Sequence, residues 1–171
     1  MACLRILFLL ALALPAWGAA QEAEITRFLN ETLGQPPAAE TLWIVGDLQP
    51  AVHAILEHDY PAARVRYWRG GTRTVWVLDE IGKEMPITIG IAIDNGAVER
   101  VKVLVYRESR GWEVKSPAFT AQFYGARLAD GQKLDKQIDG ISGATLSVRA
   151  LSRLTRLALL FDRQISKGAK P

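Results

Sequence analysis

Between residues 87 and 106 the chain alternates so regularly that few folds remain open to it. Ile87, Ile89, Ile91 and Ile93 interleave with Thr88, Gly90, Ala92 and Asp94; after Asn95-Gly96 the chain returns through Val98 to Tyr106, with Val101, Val103 and Val105 in one parity. A period of two puts such side chains on one face of a strand, and Asn-Gly between two alternating runs makes a tight hairpin. The isoleucine face points to a core. The other face carries small side chains, so something can approach it closely.

The rest of the chain can be read against that hairpin. Val65 to Trp68 and Thr74 to Leu78 predict two more strands flanking a Gly70-Gly71 turn. Glu22 to Leu33 has helical spacing through Ile25, Phe28, Leu29 and Leu33, and Gly34-Gln35-Pro36-Pro37 stops it. A second helix is expected near Asp47, a capping residue, with Pro50 in its first turn; it buries Val52, Ile55 and Leu56 and ends before Pro61. Glu108 to Lys115 reads as a polar loop, and Phe119, Phe123 and Tyr124 as a short aromatic helix or turn. A last helix opens after Ile141-Ser142-Gly143. It buries Leu151, Leu154, Ala158, Phe161 and Ile165, turns Arg149, Arg153 and Arg156 elsewhere, and stops near Gly168. With 171 residues, 49% of them hydrophobic, the expectation is one α+β domain, a twisted antiparallel sheet packed by helices.

The N-terminus reads as an export signal. Arg5 precedes an unbroken apolar run, Ile6 to Leu14, closed by Pro15, and Gly18-Ala19-Ala20 offers small residues for cleavage near Ala20. The run is much shorter than the roughly 20 residues of a membrane span; an uncleaved membrane anchor is the competing reading. The one cysteine, Cys3, lies in this segment, so the remaining chain has no thiol for a disulfide, a c-type haem or an iron–sulfur cluster. His53 and His58 are the only histidines, five apart, which does not match a zinc helix; they read as solvated helix residues. Without Arg5 the chain has 20 basic and 18 acidic residues and no basic block, so nothing asks for nucleic acid.

The chemistry-bearing segment is Asp139-Gly140-Ile141-Ser142-Gly143-Ala144-Thr145-Leu146-Ser147, where a loop becomes the last helix. The first turn of a helix exposes unpaired N–H groups and the positive end of the dipole, which together stabilise anions. Gly140 and Gly143 permit close approach and unusual dihedrals, Ser142 can cap, and Thr145 puts a hydroxyl just inside the helix. A phosphate ester there would lie among free N–H groups; an ordinary N-cap is the alternative.

Asp139 to Thr145 resemble the flavinylation motif of the FMN-binding domain family, which includes the C subunit of the sodium-translocating NADH:quinone oxidoreductase and the G subunit of the Rnf-type electron-transport complex. Glu108-Ser109-Arg110-Gly111 is similar to that family's Glu-(Ser/Thr)-x-Gly loop near the flavin, and Phe119 to Gly125 to its aromatic-Gln-aromatic-x-Gly element. The resemblance implies FMN joined to Thr145 through a phosphoester by a flavin transferase. It makes Asp139, Gly140, Ser142, Gly143 and Ala144 the recognised surround, with Glu108, Ser109 and Gly111 beside the cofactor. Arg110 and Trp112 depart from the respiratory subunits, which tend to have Pro and Leu there.

The expected organisation is a signal peptide over 1–20, an N-terminal helix and linker over 21–46, and the FMN-binding domain over 47–166. The expected role is a periplasmic electron carrier rather than a stand-alone enzyme, with membrane quinol oxidoreductases or cytochromes as redox partners. A reductase component acting on a small acceptor is the runner-up, and a flavin-free binding domain the third class.

Overall fold

The computed structural model describes residues 16–168; Cys3 and the apolar run Ile6 to Leu14 lie outside them. Five strands form an antiparallel meander in the order β1 (Glu40–Trp43), β2 (Arg64–Gly70), β3 (Arg73–Ile81), β4 (Pro86–Asp94) and β5 (Ala97–Tyr106). The helices are α1 (Ala16–Leu33), α2 (Leu48–Leu56), the short α3 (Pro117–Thr120) and α4 (Thr145–Gly168). The α+β expectation holds, with β1 added inside the stretch read as a linker. Its alternation is only four residues long, too brief to stand out in sequence.

The expected hairpin is present: Asn95 and Gly96 both have positive φ, as a tight turn with this twist requires. The β2–β3 turn falls on Gly71-Thr72, one residue later than expected, with Gly71 at φ +63°. On one sheet face Trp76, Leu78 and all four isoleucines of β4 pack in one core with α4, which α2 joins from beside that helix. The side chains expected along α4 are those that build this core, Ile165 at its margin. Asp47 does precede α2, but its side chain caps nothing.

The opposite face of β4 has a different occupant from a ligand. Phe28 and Leu29 of α1 lie over Val75, Ala92 and Leu104, and a Cβ added to Gly90 would stand 2.4 Å from the Phe28 ring. The small residues of β4 therefore exist to admit a phenylalanine. The helix starts at Ala16 rather than Glu22 and runs through the proposed cleavage position.

Val105 corrects a second expectation. The β4–β5 register slips between Thr88 and Ile89, so Leu104 has no partner of its own and the strand bulges. Val101 and Val103 face the main core, whereas Leu104 and Val105 face α1. The extra residue turns Tyr106 back onto the α4 side, where the site is built.

Candidate functional site

Past the bulge, alternate residues of β5 and its exit loop reach opposite sides. Arg107 goes to the α1 side, where its guanidinium donates to the Pro86 carbonyl, Thr88 Oγ1 and Gln21 Oε1. Tyr106 goes to the α4 side. Its hydroxyl donates to the Arg110 carbonyl at 2.6 Å and lies 3.0 Å from Ser147 Oγ in the first turn of α4. Burial is the main cause raising the Tyr106 pKa, opposed by the Ser147 contact, so the phenol stays protonated and keeps both links.

Glu108 Oε1 accepts backbone N–H bonds from Lys83, Glu84 and Met85 at 2.5, 2.7 and 3.0 Å. These bonds, Met85 first, hold its carboxyl below the usual range. The carboxylate thereby fastens the β3–β4 turn to the loop that follows β5. Gly111, at φ +81°, packs against the helix start: a Cβ there would stand 2.9 Å from Tyr106 Oη and 3.1 Å from Ala144 Cβ. The close approach that requires glycine is between two protein segments, where sequence reading had placed the flavin.

These contacts bring the two sequence-distant motifs to one surface cleft of about 600 Å³. Lys83, Glu84, Glu108, Ser109, Arg110, Gly143, Ala144, Thr145, Leu146 and Ser147 line it. Thr145 is the first residue of α4 and is exposed, Gly143 precedes it at φ +80°, and Ala144 is buried. The Ala144 carbonyl accepts the Val148 N–H, and among the described residues the N–H groups of Thr145, Leu146 and Ser147 have no acceptor. Ser142 does not cap the helix; it sits in the turn closed by the Ala144 N–H on the Ile141 carbonyl. A helix start with no side-chain acceptor leaves its N–H groups to a ligand.

Asp139, Gly140 and Ser142 lie outside the cleft lining. Asp139 is anchored by its N–H to Gln122 Oε1 at 2.8 Å, which ties the Phe119–Gly125 element to the motif. Gly140 has open space around it and an ordinary φ. Sequence reasoning missed Lys83, Glu84 and Tyr106, whereas Leu146 and Ser147 fall in the segment it singled out. The first two sit on a turn with no motif of its own, and only the fold delivers them. Three exposed apolar side chains, Met85, Trp112 and Leu146, sit within one residue of groups that build or line the cleft.

Residues 82–160 match the family model for the FMN-binding domain. This segment is an FMN-binding domain. Its match takes in both strands of the hairpin, the Glu108 loop and all of the Thr145 motif. Across most of the chain the fold is similar to the crystal structure of NqrC from Shewanella oneidensis, with a TM-score of 0.63 at 16% identity. The likeness covers 87% of this chain and 99% of that one. No curated protein matches the sequence.

FMN fits the residues present. The unpartnered N–H groups at Thr145–Ser147, with Lys83 and Arg110, offer hydrogen-bond donors and positive charge for a phosphate. Leu146, exposed in the cleft lining, offers apolar surface for a flat ring.

Proposed function

We propose that this protein is an exported electron carrier that holds FMN covalently through a phosphoester on Thr145. The observation that carries the reading is the coincidence of the FMN-binding match with an exposed threonine hydroxyl at an uncapped helix start. In maturation by a flavin transferase, Thr145 Oγ1 would lose its proton to a base of that enzyme and bond to the FMN phosphorus of FAD, the pyrophosphate bond breaking with AMP as the leaving group. When bound, FMN accepts or gives one or two electrons. Thr145 tethers it, the N–H groups of α4 and the Lys83 and Arg110 side chains hold its phosphate, and the Glu108 and Tyr106 contacts keep the cleft walls in place. Ser147 is no rival attachment point, because its hydroxyl is buried against Tyr106.

The redox partners proposed are membrane quinol oxidoreductases or cytochromes outside the cytoplasm, where a tether keeps FMN from being lost. Cleavage near Ala20 fits the packing, since Ile25, Phe28, Leu29 and Leu33, the α1 residues that cover the sheet, all follow it.

Co-expression with a flavin transferase and magnesium, followed by intact mass and peptide mapping, tests the attachment. The wild type should gain one FMN less one water. Thr145→Ser should retain modification, Thr145→Ala should have none, and Ser142→Ala and Ser147→Ala should still be modified at Thr145. Flavin persisting covalently on the Thr145→Ala protein would overturn the assignment. Steady-state turnover with soluble acceptors would replace the carrier by a reductase component.

A further inference from the structure

A second cleft, of about 510 Å³, lies at the other end of α4, between the β2–β3 and β4–β5 turns. Asp162 lies seventeen positions along α4 from Thr145, roughly 25 Å at 1.5 Å per residue, so this cleft is distinct from the flavin site. Its size falls in the range of small-molecule sites.

Three arginines line it: Arg69, Arg127 and Arg163. Arg127 Nη1 is steadied on the Asn95 carbonyl at 2.9 Å and Arg163 Nη2 on the Leu128 carbonyl. Each guanidinium has five N–H donors, so both retain several for a ligand. Arg69 has Glu40 at 3.9 Å as its carboxylate neighbour, and its buried Nε has no hydrogen-bond partner. Asp162, 6% exposed, lines the same cleft. Its Oδ1 accepts the Thr74 hydroxyl at 2.6 Å, and that hydroxyl in turn accepts the Trp76 indole N–H at 3.1 Å. The relay fixes the carboxyl group and leaves Oδ2 without a partner among the described residues.

Arginine donors alone would take any oxyanion. A carboxylate among them repels a ligand that offers only acceptors and accepts a bond from one that carries a hydroxyl hydrogen. We propose that this cleft binds inorganic phosphate in a protonated form, with Arg69, Arg127 and Arg163 holding the charged oxygens and Asp162 accepting the P–OH hydrogen. Sulfate, equally tetrahedral but without a proton at neutral pH, is rejected.

Amide NMR of the full chain, titrated with inorganic phosphate or sulfate at pH 7.5 and constant ionic strength, tests this. Saturable shifts are expected at Asn95, Gly96, Arg127 and Ser166, with phosphate binding about tenfold or more tighter than sulfate. Asp162→Asn, which keeps an oxygen for Thr74, should bring the two anions within about twofold. Arg163→Gln should weaken both, a second test that does not depend on Asp162. Thr145→Ala, which bears on the flavin assignment alone, should leave the titration unchanged. Equal affinity for the two anions, shifts confined to Gly143–Ser147, or no saturable shift would each overturn the proposal.

Discussion

Glu108 and Asp162 are both carboxylates, and their surroundings push them in opposite directions. Glu108 is held below its ordinary value of 4.5 by the N–H groups of Met85, Glu84 and Lys83. A depressed carboxylate contributes stability that is present above the unfolded value and is lost as pH falls through the folded one. The β3–β4 turn should therefore loosen below about pH 4.5, read by amide exchange at Lys83–Met85. Glu108→Ala should cost about 1 kcal/mol, reduced by solvent screening, while Glu108→Gln, still an acceptor, should cost less. Asp162 is raised above 3.8, chiefly by burial and against the Thr74 bond. Its native form holds the proton more tightly than the unfolded chain does, so its contribution is lost as pH rises through the folded value. At neutral pH the carboxylate opposes folding, and Asp162→Asn should stabilise the protein by on the order of 1 kcal/mol. In a chain this size that is about 2–4 °C in Tm. His58 differs from expectation too: it follows α2 rather than lying in it, and its ring bridges the Asp59 carbonyl and the buried Glu80 carboxylate. The Asp59 bond, with Glu80 behind it, raises its pKa above 6.5 against the opposing effect of burial.

At the scale of elements, the sheet is organised by two small departures from regularity. The Leu104 bulge exchanges the faces of Val105 and Tyr106, and without it the Tyr106 hydroxyl would point away from Ser147. Gly90 leaves a socket for Phe28, and the α1–sheet packing depends on it. Gly90→Ala should destabilise the protein by about 1–3 kcal/mol, the cost of overpacking a filled site, and should expose α1 to proteolysis. Adding Phe28→Ala should make the double variant less unstable than the sum of the two singles, which denaturant unfolding of all four proteins would show. The opposite sign would mean that α1 is not seated on Gly90. Gly111→Val should disturb both the loop and the helix start, because its φ and its neighbours in Tyr106 and Ala144 leave no room.

For the whole molecule, α1 runs through the proposed cleavage position, and its Gln21 accepts a hydrogen bond from Arg107 on the same side of the sheet. Cleavage after Ala20 should yield a mature chain beginning at Gln21 that keeps this contact, checked by terminal mass spectrometry of exported protein; an intact Met1 in the membrane fraction would make it an anchored protein. Local pattern was enough for much of the rest. Isoleucine alternation, the Asn95-Gly96 turn and the period of α4 each report which side of one element meets a core, so strands, hairpin and helices were legible in residues close together in the chain. The resemblance of the Thr145 segment to a family motif was legible for the same reason, because the motif is seven consecutive residues, although its local chemistry alone also fits an ordinary N-cap. What covers the small face of β4, which way Tyr106 points, why residue 111 is glycine and which turn Glu108 fastens depend on segments 20 to 60 residues apart. A bulge leaves no mark in hydrophobic pattern, because Leu104 and Val105 are both apolar and suit either face. The two clefts arise only where chain-distant turns converge on opposite ends of α4, and that convergence is set by packing, which no single segment encodes.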